Sequence, residues 1–368
     1  MIIQSIELNN FRNYENLQIS FDEGTNILFG DNAQGKTNIL EAAYLSGTTK
    51  SHKESKDKEM IRFGTNEAHL RTMVLKNGKQ YQIDMHLKHN RSKGIAVNKI
   101  PMKKASELFG ILNIVFFSPE DLNIIKNGPS ERRHFLDAEL CQLDKIYLSD
   151  LSNYNKILNQ RNKLLKDMVY RPELSDTLPV WDMQLADTGK KIIRRREQFV
   201  KELNEIVHEI HYRISGGREE LFLSYEPSVS ADLLEQELER VKPRDLKQCQ
   251  TSVGPHRDDL LFSIAGVDIR KFGSQGQQRT SALSLKLSEI ELVRKSIHDT
   301  PVLLLDDVLS ELDSNRQNYL LNSICDTQTI ITCTGLDEFI RNRFEINKVF
   351  EVISGQVFEK GQVIERQG

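Results

Sequence analysis

The run Gly30-Asp31-Asn32-Ala33-Gln34-Gly35-Lys36-Thr37 has the spacing G-x-x-x-x-G-K-[ST]. Chemistry on a phosphate chain needs those residue types in that order. Glycines let backbone N–H groups fold around phosphate oxygens, and the lysine reaches the β and γ oxygens. The threonine hydroxyl holds Mg²⁺, and a following helix adds the positive end of its dipole. A second run, "PVLLLDDVLSELD", ends an apolar stretch in two acids. Beside a phosphate loop, Asp306 is the Mg²⁺ ligand and Asp307 stands where an attacking water is oriented or deprotonated. Asp313 is read either as a contact across an interface or as an N-cap.

The stretch "GSQGQQRTSALSLKLSEIE" begins another helix. Ser274 and Gln277 have the spacing of a capping box, which stability alone explains. Gly276 is harder to explain, because glycine within a helix costs up to about 1 kcal/mol relative to alanine. Arg279 is a cation in a first turn, against the helix dipole. Both choices suit an anion docking at that helix end, at Ser274, Gln275, Gly276 and Gln277. The chain already has one phosphate loop, so this second anion site is expected to serve a nucleotide held by another subunit.

These residues need a scaffold that brings distant segments together. "TNILFG" reads as a buried strand running into the loop, and Thr37 to Ser46 as the helix behind it. Period-two apolar residues before it (Ile3, Ile6, Leu8; Leu17, Ile19, Phe21) predict paired strands, read as an antiparallel N-terminal edge of the mixed sheet. Asn77-Gly78 between alternating segments predicts a hairpin. "NIVFF" predicts a strand that stops at Ser118-Pro119-Glu120-Asp121, a helix start. From Ser130 to about His211 the pattern is helical, broken at Arg171-Pro172 and Leu178-Pro179. Strands return at "LLFSIAGVDIRKF", "PVLLLDD", "TIITCT" and "VFEVISGQVFEKGQVI", with a helix near 314–324. The expected fold is α/β, a P-loop head with a mixed sheet and parallel core and an inserted, mainly helical second lobe. The expected division is 1–116 with 260–368 for the ATPase lobe and 117–259 for the helical one.

Composition narrows the class. The 368 residues, 38% of them hydrophobic, suit a large divided globular chain. No apolar run approaches the roughly 18 residues of a membrane span, and the N-terminus lacks a signal pattern, so a cytoplasmic protein without membrane partners is expected. Four cysteines (Cys141, Cys249, Cys325, Cys333) show no metal-ligand spacing and are read as reduced thiols. The net charge of −3 conceals a basic block. Residues 50–104 carry fourteen Lys/Arg against five Asp/Glu, a balance of +9 that leaves −12 elsewhere. Such a block fits either a polyanion partner or a solvated strand surface. Arg132, Arg133 and Arg194 to Arg196 are the second basic candidates.

In order, the phosphate loop, "GSQGQQR" and "LLLDDVLSELD" resemble the SMC-type ATP-binding-cassette ATPases, most closely the RecF family. "NFRNY", "FFSPEDL", "GPSERRHFLD", "YNKILNQRNKLLK" and "TSVGPHRDDL" extend the resemblance over nearly the whole chain. It implies a recombination mediator of the RecF pathway, acting in gap repair, replication restart and the SOS response. Such a protein would bind ATP with Mg²⁺, dimerise on ATP, and bind DNA at duplex next to a single-stranded gap. It would work with RecR and RecO and use a weak, DNA-stimulated ATPase as a switch. Carried over by residue, Gly30 to Thr37 bind phosphates, Lys36 and Asp307 serve hydrolysis, and Thr37 and Asp306 hold Mg²⁺. Ser274 to Gln277 face the partner's γ-phosphate, Arg12 of "FRN" reaches the nucleotide, and Glu120 is the γ-phosphate sensor. The competing reading is the soluble ATPase subunit of an ABC transporter. Asp where those subunits usually have Glu at position 307, and no His after "ITCTG", speak against it. A long-armed SMC tether needs hundreds more coiled-coil residues than the roughly 115 available between the two halves.

Overall fold

The computed structural model describes residues 1–53, 55–324, 326–336 and 345–360. Cys325 and the "GQVI" end of the terminal strand reading lie outside them. The strands in chain order are β1 (Ile2–Phe11), β2 (Tyr14–Ser20), β3 (Thr25–Phe29), β4 (Glu67–Lys76), β5 (Lys79–Lys88), β6 (Arg91–Val97), β7 (Ile100–Pro101), β8 (Ile114–Phe117), β9 (Leu221–Glu226), β10 (Asp259–Ile264), β11 (Val267–Asp268), β12 (Val302–Asp306), β13 (Thr329–Cys333), β14 (Lys348–Ile353) and β15 (Gln356–Lys360). The chain divides into two compact units, Met1–Asp121 with the residues from Glu289 onward, and Leu122–Ser288. Residues 260–288 therefore group with the helical unit, whereas the sequence reading assigned them to the ATPase lobe.

In the first unit the core sheet has the order β15-β14-β3-β13-β12-β8, parallel except for the β15 edge. The sequence expectation of an N-terminal antiparallel edge is corrected here. β1 and β2 belong to a separate six-stranded sheet, β2-β1-β4-β5-β6-β7. β1 pairs with both β2 and β4 along most of its length, so its ladder is already satisfied on both sides. The Asn77-Gly78 turn joins β4 to β5, with both residues at positive φ (49° and 71°), as a two-residue hairpin requires.

The helix Lys36–Thr48 is buried along most of its length, and its side chains join a core shared with both sheets. Its sequence allows this. Ala42, Ala43 and Gly47 let neighbours approach, and a Cβ on Gly47 would lie 2.9 Å from the Ile114 side chain. The buried Ser46 hydroxyl is matched by Thr72 at 2.7 Å, so this helix has no polar atom stranded there.

The second unit contains the helices Pro129–Leu143, Lys145–Asp167 and Leu178–Ile214 and a three-stranded sheet, β11-β10-β9. "DIRKF", read as strand, turns helical at Ile269–Phe272, where Asp268 caps the turn by accepting from the Arg270 N–H. Three arginines are buried inside this unit. Arg132 pairs with Asp259 at 2.6 Å. Arg161 donates to Asp182, Asp245 and Thr251 at 2.6–2.8 Å. Arg196 donates to Tyr147, Asp137 and the Pro255 carbonyl at 2.7–2.9 Å. The segment 251–259 supplies several of these acceptors. Its Gly254 sits at φ 123°, and a Cβ there would meet the Tyr154 hydroxyl at 2.5 Å. Arg132 and Arg196 are thus part of an internal network, because a guanidinium can stay charged in a core only when carboxylates and carbonyls surround it, whereas Arg194 is exposed.

Candidate nucleotide-binding site

β3 delivers the chain to Gly30, whose φ is 147° and whose Cβ, if present, would lie 2.4 Å from the Val352 carbonyl oxygen. Only glycine fits so close to a neighbouring backbone. Gly35 ends the loop at φ 114°, and a Cβ there would lie 2.5 Å from the Asn13 amide and 2.8 Å from the Tyr14 hydroxyl. Asn13 and Tyr14 brace the loop from the β1–β2 turn. Asn13 donates to the Gln34 carbonyl at 3.0 Å and accepts from Asn38 at 2.8 Å, and Tyr14 donates to the Gly35 carbonyl at 3.1 Å. From the β14–β15 turn, the Ser354 and Gly355 N–H groups donate to Gln34. Two turns far apart in sequence therefore hold one loop.

Behind the loop, Lys36 is buried and folds its ammonium onto the carbonyls of Gly30 and Asp31. Burial lowers its pKa, and the nearby carboxylates of Asp307, Asp306 and Asp31 oppose that shift. Thr37 donates its hydroxyl to Asp306 Oδ1 at 2.8 Å, and Thr332 donates to the same oxygen at 2.7 Å. Asp307 follows at φ 53°, a left-handed conformation uncommon outside glycine that aspartate tolerates better than most residues. Its N–H donates to Thr332. Backbone held in that region at a strand end is a recurrent mark of functional positions.

Asn32 to Thr37, Ser118 to Glu120, Asp306, Asp307 and Thr332 line one cavity of about 410 Å³, together with His52 and Lys53. Gly30 and Asp31 do not line it, but their carbonyls hold Lys36, which does. Glu120 reaches the cavity from an exposed single turn, Pro119–Asp121. In that turn the Ser118 N–H donates to Asp121 at 2.7 Å, the reciprocal half of the expected cap. Sequence reasoning missed His52 and Lys53, and their only signal was a position shortly after the loop helix. His52 stacks on Phe116 with centroids 4.2 Å apart, and burial lowers its pKa to about 4, with Glu41 pulling the other way.

Arg12 is not among the residues lining the cavity. Its guanidinium grips Glu41 through two bonds of 2.6 and 2.7 Å and also reaches Ser55 and the Glu59 carbonyl. The Glu41 contact is a salt bridge with a fully buried carboxylate, which would be left uncompensated without it.

Ser274 to Gln277 belong to the second unit. The capping box forms in both directions, at 2.9 Å from the Ser274 N–H to the Gln277 side chain and 3.2 Å from the Gln277 N–H to the Ser274 hydroxyl. Ser274, Gln275, Gly276 and Arg279 are exposed at this start of the helix Gln275–Ile297. Asp313 caps the helix Ser314–Ser323, accepting from the Asn315 and Arg316 N–H groups at 3.1 Å.

The donor set suits a nucleotide with Mg²⁺. A hydroxyl and a carboxylate oxygen side by side are the hard oxygen ligands that ion takes. They lie under a loop pressed too close to its neighbours for side chains at Gly30 and Gly35. A phosphate loop between a parallel strand and a buried helix, with an acid at the end of the second strand away, defines the head of a P-loop ATPase. The family described as RecF/RecN/SMC N terminal domain matches residues 2–356. A DNA replication and repair protein RecF from Agathobacter rectalis is 74% identical over 97% of this chain and 99% of its own length. A solved structure of the recombination mediator protein RecF with ATP, of the RecFOR pathway, superposes with a TM-score of 0.92 at 37% identity, covering 98% of this chain and 97% of that one. An Smc head domain from Pyrococcus furiosus shares the fold at a TM-score of 0.57 and 18% identity. The chain belongs to the RecF family of DNA replication and repair proteins, a branch of the SMC-type ATPases. Among the described residues no helix is long and apolar enough to cross a membrane.

Proposed function

We propose that this chain is an ATP-switched recombination mediator that dimerises around bound ATP and engages gapped duplex DNA together with RecR and RecO. The observation that carries the nucleotide part is the meeting of Thr37 and Asp306 under the Gly30–Thr37 loop, 2.8 Å apart. On ATP binding, Lys36 exchanges the Gly30 and Asp31 carbonyls for the β and γ oxygens, a stronger, charge-assisted partner. Thr37 and Asp306 would hold Mg²⁺, which neutralises phosphate charge. Asp307 orients the attacking water and accepts its proton, and Glu120 senses the γ-phosphate from the exposed turn. The relative solved with ATP supports the same ligand here.

The exposed, capped helix end at Ser274–Gln277 is the part of the site a second copy would supply. Its N–H groups and helix dipole favour an anion, and Ser274, Gln275 and Gly276 are exposed to a partner. The basic block at 50–104 would meet the DNA backbone, an interaction that weakens steeply with salt.

The test is oligomeric state by light scattering, with and without ATP and a gapped duplex, for wild type and Ser274→Arg. Wild type is expected to go from monomer to dimer with ATP, while Ser274→Arg binds ATP normally and remains monomeric. A variant that still dimerises with ATP, or that loses ATP binding as a monomer, would overturn the assembly in trans.

A further inference from the structure

On the face of the antiparallel sheet that turns away from the core, side chains stand in cross-strand rows. Glu67 on β4 lies opposite Lys88 on β5, His69 opposite His86, and Arg71 opposite Asp84. Period-two alternation puts Glu67 and His69 on one face, and the register places His86 beside them. The rings of His69 and His86 stack with centroids 3.9 Å apart. His86 Nε2 lies 3.0 Å from one Glu67 oxygen and His69 Nε2 lies 3.8 Å from the other. All three ligand atoms fall within 4.8 Å of one another. His69 and His86 also line an open trough of about 760 Å³ along this face. Gly94, opposite His86 on β6, has no side chain to cover the ring.

We propose that Glu67, His69 and His86 form a binding site for a divalent transition metal of the zinc class, separate from the nucleotide site. A tetrahedral zinc with ligands at about 2.0–2.1 Å holds its ligand atoms roughly 3.3 Å apart. The contacts at 3.0 and 3.8 Å run to different Glu67 oxygens, so closure onto a metal requires the side chains to turn until the three ligand atoms, already within 4.8 Å of one another, converge. Two imidazoles and one carboxylate favour zinc, nickel or copper over magnesium. The fourth position opens to the trough and would take water. Lys88, whose ammonium lies 3.3 Å from Glu67, is the competing cation. Its long side chain can swing into solvent when a metal arrives. Bound metal would cross-link β4 to β5 within the most basic part of the chain.

The test is calorimetric titration of the full-length, untagged, nucleotide-free protein with zinc chloride in Mg²⁺-free buffer, with thermal melting in parallel. One zinc per chain is expected, together with a raised melting temperature. His69→Ala or His86→Ala should weaken binding by at least about tenfold, because even outer partners of metal ligands are worth that much. Cys249→Ser should bind as wild type does, and Lys88→Met should bind more tightly. All three residues are exposed or half-buried, so the variants are expected to fold, and unchanged melting without zinc checks this. Failure of wild type to take up zinc, or equal affinity in the His69→Ala/His86→Ala double variant, overturns the site.

Discussion

Thr37 and Asp306 are 269 positions apart in the chain, yet the Thr37 hydroxyl donates to Asp306 Oδ1 at 2.8 Å. The contact exists because β3 and β12 both pair with β13 in parallel. All three strands then end on the same side, and the loop after β3 comes down over the acid that ends β12. Ligand sites of open α/β sheets form at such carboxyl ends.

Asp306→Ala should remove a Mg²⁺ ligand and leave the phosphate loop intact. ATP affinity measured by calorimetry is expected to fall at least tenfold in the presence of Mg²⁺, about 1.4 kcal/mol or more. Without Mg²⁺ the variant and wild type should bind alike. A loss of equal size in both conditions would assign Asp306 a structural role.

Asp307→Asn should preserve the fold, since asparagine also tolerates the left-handed φ of 53° found here. Turnover should drop about 10²-fold or more, the usual contribution of a positioned general base. ATP binding should be near wild type. Turnover within twofold of wild type would move the base elsewhere, with Glu120 the first place to look.

Gly30→Ala sets a Cβ 2.4 Å from the Val352 backbone oxygen, which cannot rotate away as a side chain could. A destabilisation of about 1–3 kcal/mol is expected from the clash and the unfavourable φ, together with loss of ATP binding. Thermal melting and nucleotide titration read both effects. Gly78→Ala is the internal comparison. Its φ is also positive, but no atom lies within 4 Å of its Cβ, so it should melt closer to wild type.

Acid should weaken the fold through two histidines. Burial lowers both His52 and His256 from 6.5 to about 4. The unfolded chain therefore binds their protons first as pH falls, and the stability they contribute, complete above about 6.5, is lost between 6.5 and 4. Each shift corresponds to at most about 3 kcal/mol. Urea titrations from pH 7 to pH 4.5 should show proton uptake on unfolding, reduced in His52→Phe. A pH-independent midpoint across that range would contradict the burial of both rings.

The segments legible in the sequence are those whose signal is local. The phosphate loop, the Asn77-Gly78 hairpin and the Ser274–Gln277 capping box each depend on a few consecutive residues with a steric or hydrogen-bonding reason for their types, and each forms as read. Misreadings arise where partners are distant. β1 and β2 were assigned to the core sheet because alternation gives a strand's faces but not its neighbours. Residues 260–264 look like any other half-buried strand, and only pairing with β9 places them in the helical unit. Arg132 and Arg196 read as surface cations because nothing near them in sequence reveals Asp259 or the Asp137–Tyr147 pair.

The sequence by itself determined the chemistry available to this protein: a loop that can hold phosphates, two acids at a strand end, and a capped helix start open to an anion. Tertiary structure alone decided which of these meet. Parallel pairing through β13 brought Thr37 to Asp306, and the turns at Asn13–Tyr14 and Ser354–Gly355 fixed the loop between them. The same long-range packing turned Arg12 toward the buried Glu41 and set His52 against the site. A local motif states what a residue can do, whereas burial and long-range pairing decide whether a partner is within reach.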